Sequence, residues 1–236
     1  IINILQESID VGVQMAYFRM ASRVKKDLDN DFDHLSTVAQ LYDPEVEIAT
    51  KKRILCTLAS FDKPEYFRSI EQFKTHAPEE LKAWTTLALQ ESKMLLESSL
   101  LGTKLLYIST GLGGKGAALR FFLVLMGKDN VHYGNTQIEI IKKEFDFYFR
   151  QNTGEIEEML FDNQYARILC LLPLDCNIGD VVKKAITECN TYGNFIEENF
   201  LLTNVKKLDI EEIEHFLDNV KDKETDEISP EDFSIE

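Results

Sequence analysis

Gly102-Thr-Lys-Leu-Leu-Tyr-Ile-Ser-Thr-Gly111-Leu-Gly113-Gly114-Lys115-Gly116 holds five of the chain's eleven glycines and separates two kinds of pattern. Upstream, apolar residues recur at the three-to-four spacing of helices. Downstream they fall into short runs of strand length. Leu105 to Ile108 and Arg120 to Met126 flank the dense part of the run, so the simplest expectation is a β-hairpin with Gly111 to Gly116 at its tip. Gly102 closes the helical part.

Working upstream, Ile4, Leu5, Ile9, Val13, Phe18, Ala21, Val24 and Leu28 predict a first helix, with Gly12 as a weak point. Asp27 to Asp31 breaks it. Leu35, Val38, Ala39 and Leu41 mark a short second helix. Pro44, Pro64 and Pro78 are each followed by Glu, and each signals a helix start. Pro44-Glu45 and Pro78-Glu79 lie 34 residues apart, and Ala49 with Ala83 and Leu55 with Leu89 repeat at the same offset. On these residues the stretch from Asp43 to Leu101 resembles HEAT-type helical repeats, which implies short antiparallel helices stacked side by side. A stable array needs about three units, and the same residues also suit a plain helical bundle with Trp84 in its core.

Downstream, Asn135-Thr136 caps a helix carrying Ile138, Ile141, Phe145 and Phe149, which Asn152 to Gly154 ends. Ile156 to Phe161 and Ala166 to Leu172 form a second hairpin around Asp162 to Gln164, and Pro173 stops it. Asp175 to Asn177 cap a helix with Val181, Val182, Ala185, Ile186 and Cys189 on one side. A fifth strand lies within Phe195 to Val205. Asp209 and Glu212 make a capping box for a last helix with Ile210, Ile213, Phe216 and Leu217. The expected fold class is α+β: an all-helical bundle or short HEAT-like array, then a mainly antiparallel sheet with helices on one face. The expected domains are 1–101 (helical), 102–217 (α+β) and 218–236 (acidic flexible tail).

The net charge of −15 is unevenly spread. From Asp209 to Glu236 there are twelve acids and two lysines, which leaves residues 1–208 at a net of −5. No basic stripe appears in the sequence, and this predicts no nucleic-acid partner and no anionic membrane surface. No apolar run approaches the roughly 20 residues that span a bilayer. Cys56, Cys170, Cys176 and Cys189 form no C-x-x-C pair, and His34, His76, His132 and His215 are scattered. No metal and no cofactor is expected, and the thiols suit a reducing cytoplasm. The first residue is Ile1 rather than Met, which is consistent with a missing N-terminal piece or a removed signal peptide.

Chemistry concentrates at the glycines. Gly111, Gly113 and Gly116 match G-x-G-x-x-G letter for letter, and Lys115 adds an ammonium. Amides of such a loop can cradle an anion. The dinucleotide fingerprint requires residues 117–126 to be a helix, and the P-loop requires Ser or Thr after its Lys; here Gly116 follows Lys115. Asp175, Asn177 and Asp180 read as helix caps before they read as an acid–base set. Ser109 lacks a G-x-S-x-G setting. Phe147 and Tyr148 point away from the Phe145–Phe149 face and suggest a helix covered on more than one side. No catalytic constellation is complete. The leading expectation is therefore a non-catalytic adaptor with a protein partner. The alternative is an enzyme or regulator that binds a phosphorylated small ligand or nucleotide at Gly111, Gly113, Gly114, Lys115 and Gly116.

Overall fold

The computed structural model describes residues 2–28, 33–102 and 106–226. Strand β1 (Ile2–Ile4) precedes five helices: α1 (Val11–Lys26), α2 (His34–Tyr42), α3 (Ile48–Ala59), α4 (Pro64–Lys74) and α5 (Glu79–Leu101). After them come β2 (Leu106–Ile108), β3 (Gly114–Lys115), β4 (Ala118–Gly127), α6 (Asn135–Gln151), β5 (Glu155–Asp162), β6 (Tyr165–Pro173), α7 (Ile178–Thr191), β7 (Ile196–Thr203) and α8 (Ile210–Asp226). Residues 227–236, most of the expected tail, lie outside the described residues, and α8 runs into the part assigned to that tail.

The helical half forms as its punctuation dictates. Pro64 opens α4, where its missing N–H costs nothing. Gly102 closes α5 with φ of 63°, a left-handed value that glycine adopts without strain. The first helix starts later than its apolar period suggests. The Asp10 carboxylate accepts from the Val13 amide, so α1 begins at Val11, and Ile4 and Leu5 belong to a strand and the stretch after it. Likewise α3 begins at Ile48 rather than at Pro44, because residues 44–46 form a turn. Tyr17, Leu55, Leu58, Ile70, Phe73 and Leu81 are the heart of the core here, none more than 1% exposed. Burial of each such side chain contributes on the order of 1.5–3 kcal/mol.

The second half is α+β. β4 lies between β6 and β7, and β6 lies between β4 and β5; every pairing is antiparallel. β4 and β5 are joined through α6 with β6 inserted between them, and β6 and β7 through α7 with β4 inserted. Two interlocked split βαβ units of this kind make the ferredoxin-like topology. The period-two pleat then sorts the side chains. Leu123, Leu125, Ile168, Cys170 and Leu172 face α6 and α7, and pack on Ile141, Phe145, Phe149, Val182 and Ala185. On the opposite face Phe122, Val124, Tyr165 and Leu169 pack under Leu112 and Ile213, so the start of α8 covers one part of that face.

One expected hairpin is built differently. β2 does not pair with β4; it pairs in parallel with β1. The actual partner of β4 at the glycines is β3, through a two-residue turn at Gly116 and Ala117. The N-terminal strand is therefore the element that the expected hairpin lacked. Among the described residues no helix is long and apolar enough to cross a membrane.

Candidate functional site

The glycine run is where three backbone segments touch. A Cβ on Gly111 would stand 1.8 Å from the Val205 carbonyl oxygen, on the β7–α8 connection. On Gly113 it would stand 2.4 Å from the Glu7 carbonyl oxygen, and on Gly114 2.4 Å from that of Ala118. Only hydrogen fits at such approaches. Four amides of the run, those of Leu112, Gly113, Gly114 and Gly116, are already engaged. Leu112 donates to the Asn204 carbonyl (3.0 Å), Gly113 to that of Thr110 (3.2 Å), and Gly116 to the Gln6 side-chain oxygen (2.7 Å). Ser8 donates to the Gly111 carbonyl at 2.9 Å, and Gln14 to those of Ile9 and Thr110. The loop thus ties residues 4–14 to the sheet. Because residues 118–127 are a strand, the dinucleotide fingerprint lacks its helix, and G-x-G-x-x-G here is a spacing without that function.

Lys115 leaves the loop and pairs with Glu155 at 2.7 Å. It is one of three cations, brought from separate places, that meet the acids of β5. A bulge between Ile156 and Glu158 adds a residue to the strand. Arg120 of β4 grips Glu157 through two nitrogens (2.5 and 3.0 Å) and donates a further hydrogen bond to the Leu112 carbonyl at 2.8 Å. Lys207, just after β7, pairs with Glu158 at 2.5 Å. The hydrogen bond from Arg120 holds the Glu157 carboxyl below the usual carboxylate range, and the same bond raises the Arg120 guanidinium.

A cleft of about 720 Å³ opens beside these pairs, at the join of the two halves. Ser8 and Asp10 border it from the N-terminal segment, Gly111 and Leu112 from the glycine run, and Val205, Lys206 and Lys207 from the β7–α8 connection. Arg120, Glu157, Glu158 and Leu169 form its floor. Of the sequence candidates the cleft gathers Gly111 alone; Gly113, Gly114, Lys115 and Gly116 lie outside its lining. Arg120, Lys206 and Lys207 are cations that sequence reasoning passed over. Their partners Glu157, Glu212 and Glu158 show why Arg120 and Lys207 leave no local signal, each being 37 or more positions from its acid.

The remaining candidates are structural. The Asn177 side chain caps α7 by accepting from Gly179 (3.0 Å), and Asp180 sits in its first turn. The Thr110 hydroxyl donates to the Gly113 carbonyl at 3.1 Å. Phe147 is exposed, whereas Tyr148 packs against the α6–α7 core. Among the described residues no three His, Cys, Asp or Glu side chains gather as a metal site.

No protein-family model matches the chain, and no curated protein matches it. Solved structures give low-scoring matches. A protein assigned as a transposase from Deinococcus radiodurans aligns at 15% identity and TM-score 0.38, over 45% of this chain and 93% of its own. A REP-associated tyrosine transposase bound to a REP hairpin aligns at 14% and 0.33, over 48% and 70%. A C-terminal segment of the aIF2 alpha subunit from Pyrococcus abyssi aligns at 12% and 0.25, over 83% and 98%. None of the three is described as an adaptor or a helical repeat, and one was solved on nucleic acid. The expectations of a non-catalytic adaptor with a protein partner, of a helical repeat and of no nucleic-acid partner are corrected accordingly. The physical reason for the last is that a summed charge does not set the sign of a local surface. At these scores the matches assign no activity to this chain.

Proposed function

We propose that the chain binds a small anionic molecule, of the phosphorylated or carboxylated class, in the cleft between its two halves. One observation carries this reading: Arg120 is aimed before any ligand arrives. Its contacts to Glu157 and Leu112 use three of its five N–H groups, which leaves two donors on a guanidinium that is already fixed in the cleft lining. A planar fork held this way suits carboxylate and phosphate oxygens. Lys206 and Lys207 stand beside it on exposed ion pairs, which are worth little individually and are cheap to re-aim. The cleft joins both halves, so an occupant would stiffen the join, as expected of a regulator or of an enzyme's substrate site. The four free thiols suit a reducing, cytoplasmic setting.

A thermal-shift screen against phosphorylated and carboxylated metabolites tests the reading. A ligand at 100 times its dissociation constant adds about 2.7 kcal/mol, or roughly 5–10 °C in a domain of this size. Lys206→Ala with Lys207→Ala should keep the fold and weaken the shift, while Lys115→Ala should leave it intact. A flat screen at millimolar ligand, or a shift that Lys115→Ala abolishes and the double variant spares, overturns the proposal.

A further inference from the structure

Two charged stripes on separate helices match one another. On α1 the buried residues Gln14, Tyr17, Ala21 and Val24 set the inward face. At 3.6 residues per turn the opposite face carries Arg19, Arg23 and Lys26, beside Met15 and Phe18, which are 56% and 42% exposed. On α8, Ile210, Ile213 and Leu217 pack on the sheet, and Glu211, Glu214 and Asp218 form an exposed stripe along the flank of that packed face. Each stripe spans eight residues, about 10 Å of helix between its ends. Among the described residues none of these six side chains forms an ion pair, and no ion pair joins α1 to α8.

We infer that the α1 face docks the α8 acidic stripe of a second copy of this chain, with the reciprocal contact closing a two-fold dimer. A protein of net charge −15 repels its own copies at long range. Stripes in contact, at ion-pair distance, are screened far less than charges tens of ångströms apart. A Debye length of about 10 Å at 0.1 M salt therefore leaves the contact and removes most of the general repulsion, whereas about 3 Å at 1 M weakens the contact too. Met15 and Phe18 add apolar area beside the cations. The helix-to-helix charge match selects a second copy over an unrelated anion, because both halves of the match are on this chain and, among the described residues, neither is taken up by an ion pair.

The test is sedimentation velocity of the full chain over a concentration series at 0.1 M and 1 M salt. Reversible dimerisation is expected at 0.1 M, with at least a tenfold weaker association at 1 M. Arg19→Glu with Arg23→Glu, and separately Glu211→Lys with Glu214→Lys, should each yield monomer. All four positions are exposed, and circular dichroism verifies that both variants fold. Mixing the two variants restores opposite charge at both contacts and should restore the dimer. A monomeric wild type, a dimer that survives either reversal, or a mixture that stays monomeric overturns the inference. So does a single-stranded oligonucleotide that binds wild type and not the Arg19→Glu, Arg23→Glu variant while the protein stays monomeric, since the face then serves nucleic acid.

Discussion

Gly111→Ala should destabilise the chain more than alanine at any other glycine of the run that the fold leaves open. The added Cβ would lie 1.8 Å from the Val205 carbonyl oxygen, where real contacts are essentially never under 3.0 Å. The two backbones must part by roughly 1.2 Å. No rotamer can relieve this, because the obstacle is main chain. Parting them also strains the Leu112-to-Asn204 hydrogen bond on the same connection. Overpacking alone costs about 1–3 kcal/mol, and a lost hydrogen bond at a covered site adds about 1–3 kcal/mol, so roughly 2–6 kcal/mol is expected. At about 2–4 °C per kcal/mol this is a drop of about 4–24 °C in Tm. Gly116→Ala is the control. Its φ is 61°, but nothing lies within 4 Å of the added Cβ, so only the left-handed strain of about 1–2 kcal/mol applies. The assay is urea unfolding of both variants followed by far-UV circular dichroism. If the glycines served an anion instead of the backbone junction, Gly111→Ala would alter binding and leave stability near wild type. A Gly111→Ala variant within about 1 kcal/mol of wild type, or no less stable than Gly116→Ala, refutes the close-packing account.

Asn190 holds the α7–β7 turn by accepting from the amides of Phe195 and Ile196 and donating to the Ile196 carbonyl. Asn190→Ala leaves those groups unpaired and should cost about 2–4 kcal/mol in denaturant unfolding, with Asn190→Asp costing less because it retains the acceptor. Phe149→Ala, at a fully buried position between α6 and the sheet, should cost about 3–5 kcal/mol in the same experiment. Glu157 has its carboxyl pKa lowered by Arg120, so its contribution is complete above the unfolded value of about 4.3 and is lost as pH falls through the lower folded value. The Tm difference between wild type and Glu157→Gln should be full at pH 6–7 and close below about pH 4; a gap constant down to pH 3 contradicts the pairing. Lys115→Ala should change stability by less than about 0.5 kcal/mol, because its pair with Glu155 is more than half exposed on both sides.

Local chemistry explains which elements were legible in the sequence. Pro64, Gly102, Asn177 and the Asp209–Glu212 box act within a few residues, and the structure shows each in its expected role. The β5–β6 hairpin was visible because Asn163, at φ of 54°, marks a tight turn between two apolar runs. The first hairpin failed because strand pairing is not local. Leu106 to Ile108 has a strand composition, but its partner lies a hundred residues earlier in β1, inside a stretch whose apolar spacing also fits a helix. The helical period was genuine from Val13 onward; Ile4, Leu5 and Ile9 satisfied it by coincidence. The cleft was invisible for the same reason, since its lining comes from residues 8–10, 111–112, 120, 157–158, 169 and 205–207.

The acids of β5 show how a charged sequence can conceal a nearly neutral surface. Glu155, Glu157 and Glu158 put three carboxylates within four residues of an acidic chain. In the fold each is matched by a cation from a different element, so the patch is near neutral, and the cations are held rather than spent. The three pairs are unequal. Arg120 and Glu157 are largely covered, with side chains 18% and 22% exposed, whereas Lys207 and Glu158 are 51% and 40% exposed. Screening and side-chain entropy leave the exposed pair nearly isoenergetic with its broken form, but separating the covered pair would strand a desolvated charge. An incoming anion should therefore leave Arg120 on Glu157, use its remaining N–H groups, and recruit Lys207 away from Glu158. The covered pair then supplies orientation and the exposed pairs supply exchangeable charge, which gives the cleft selectivity for shape at Arg120 and tolerance of charge at Lys206 and Lys207.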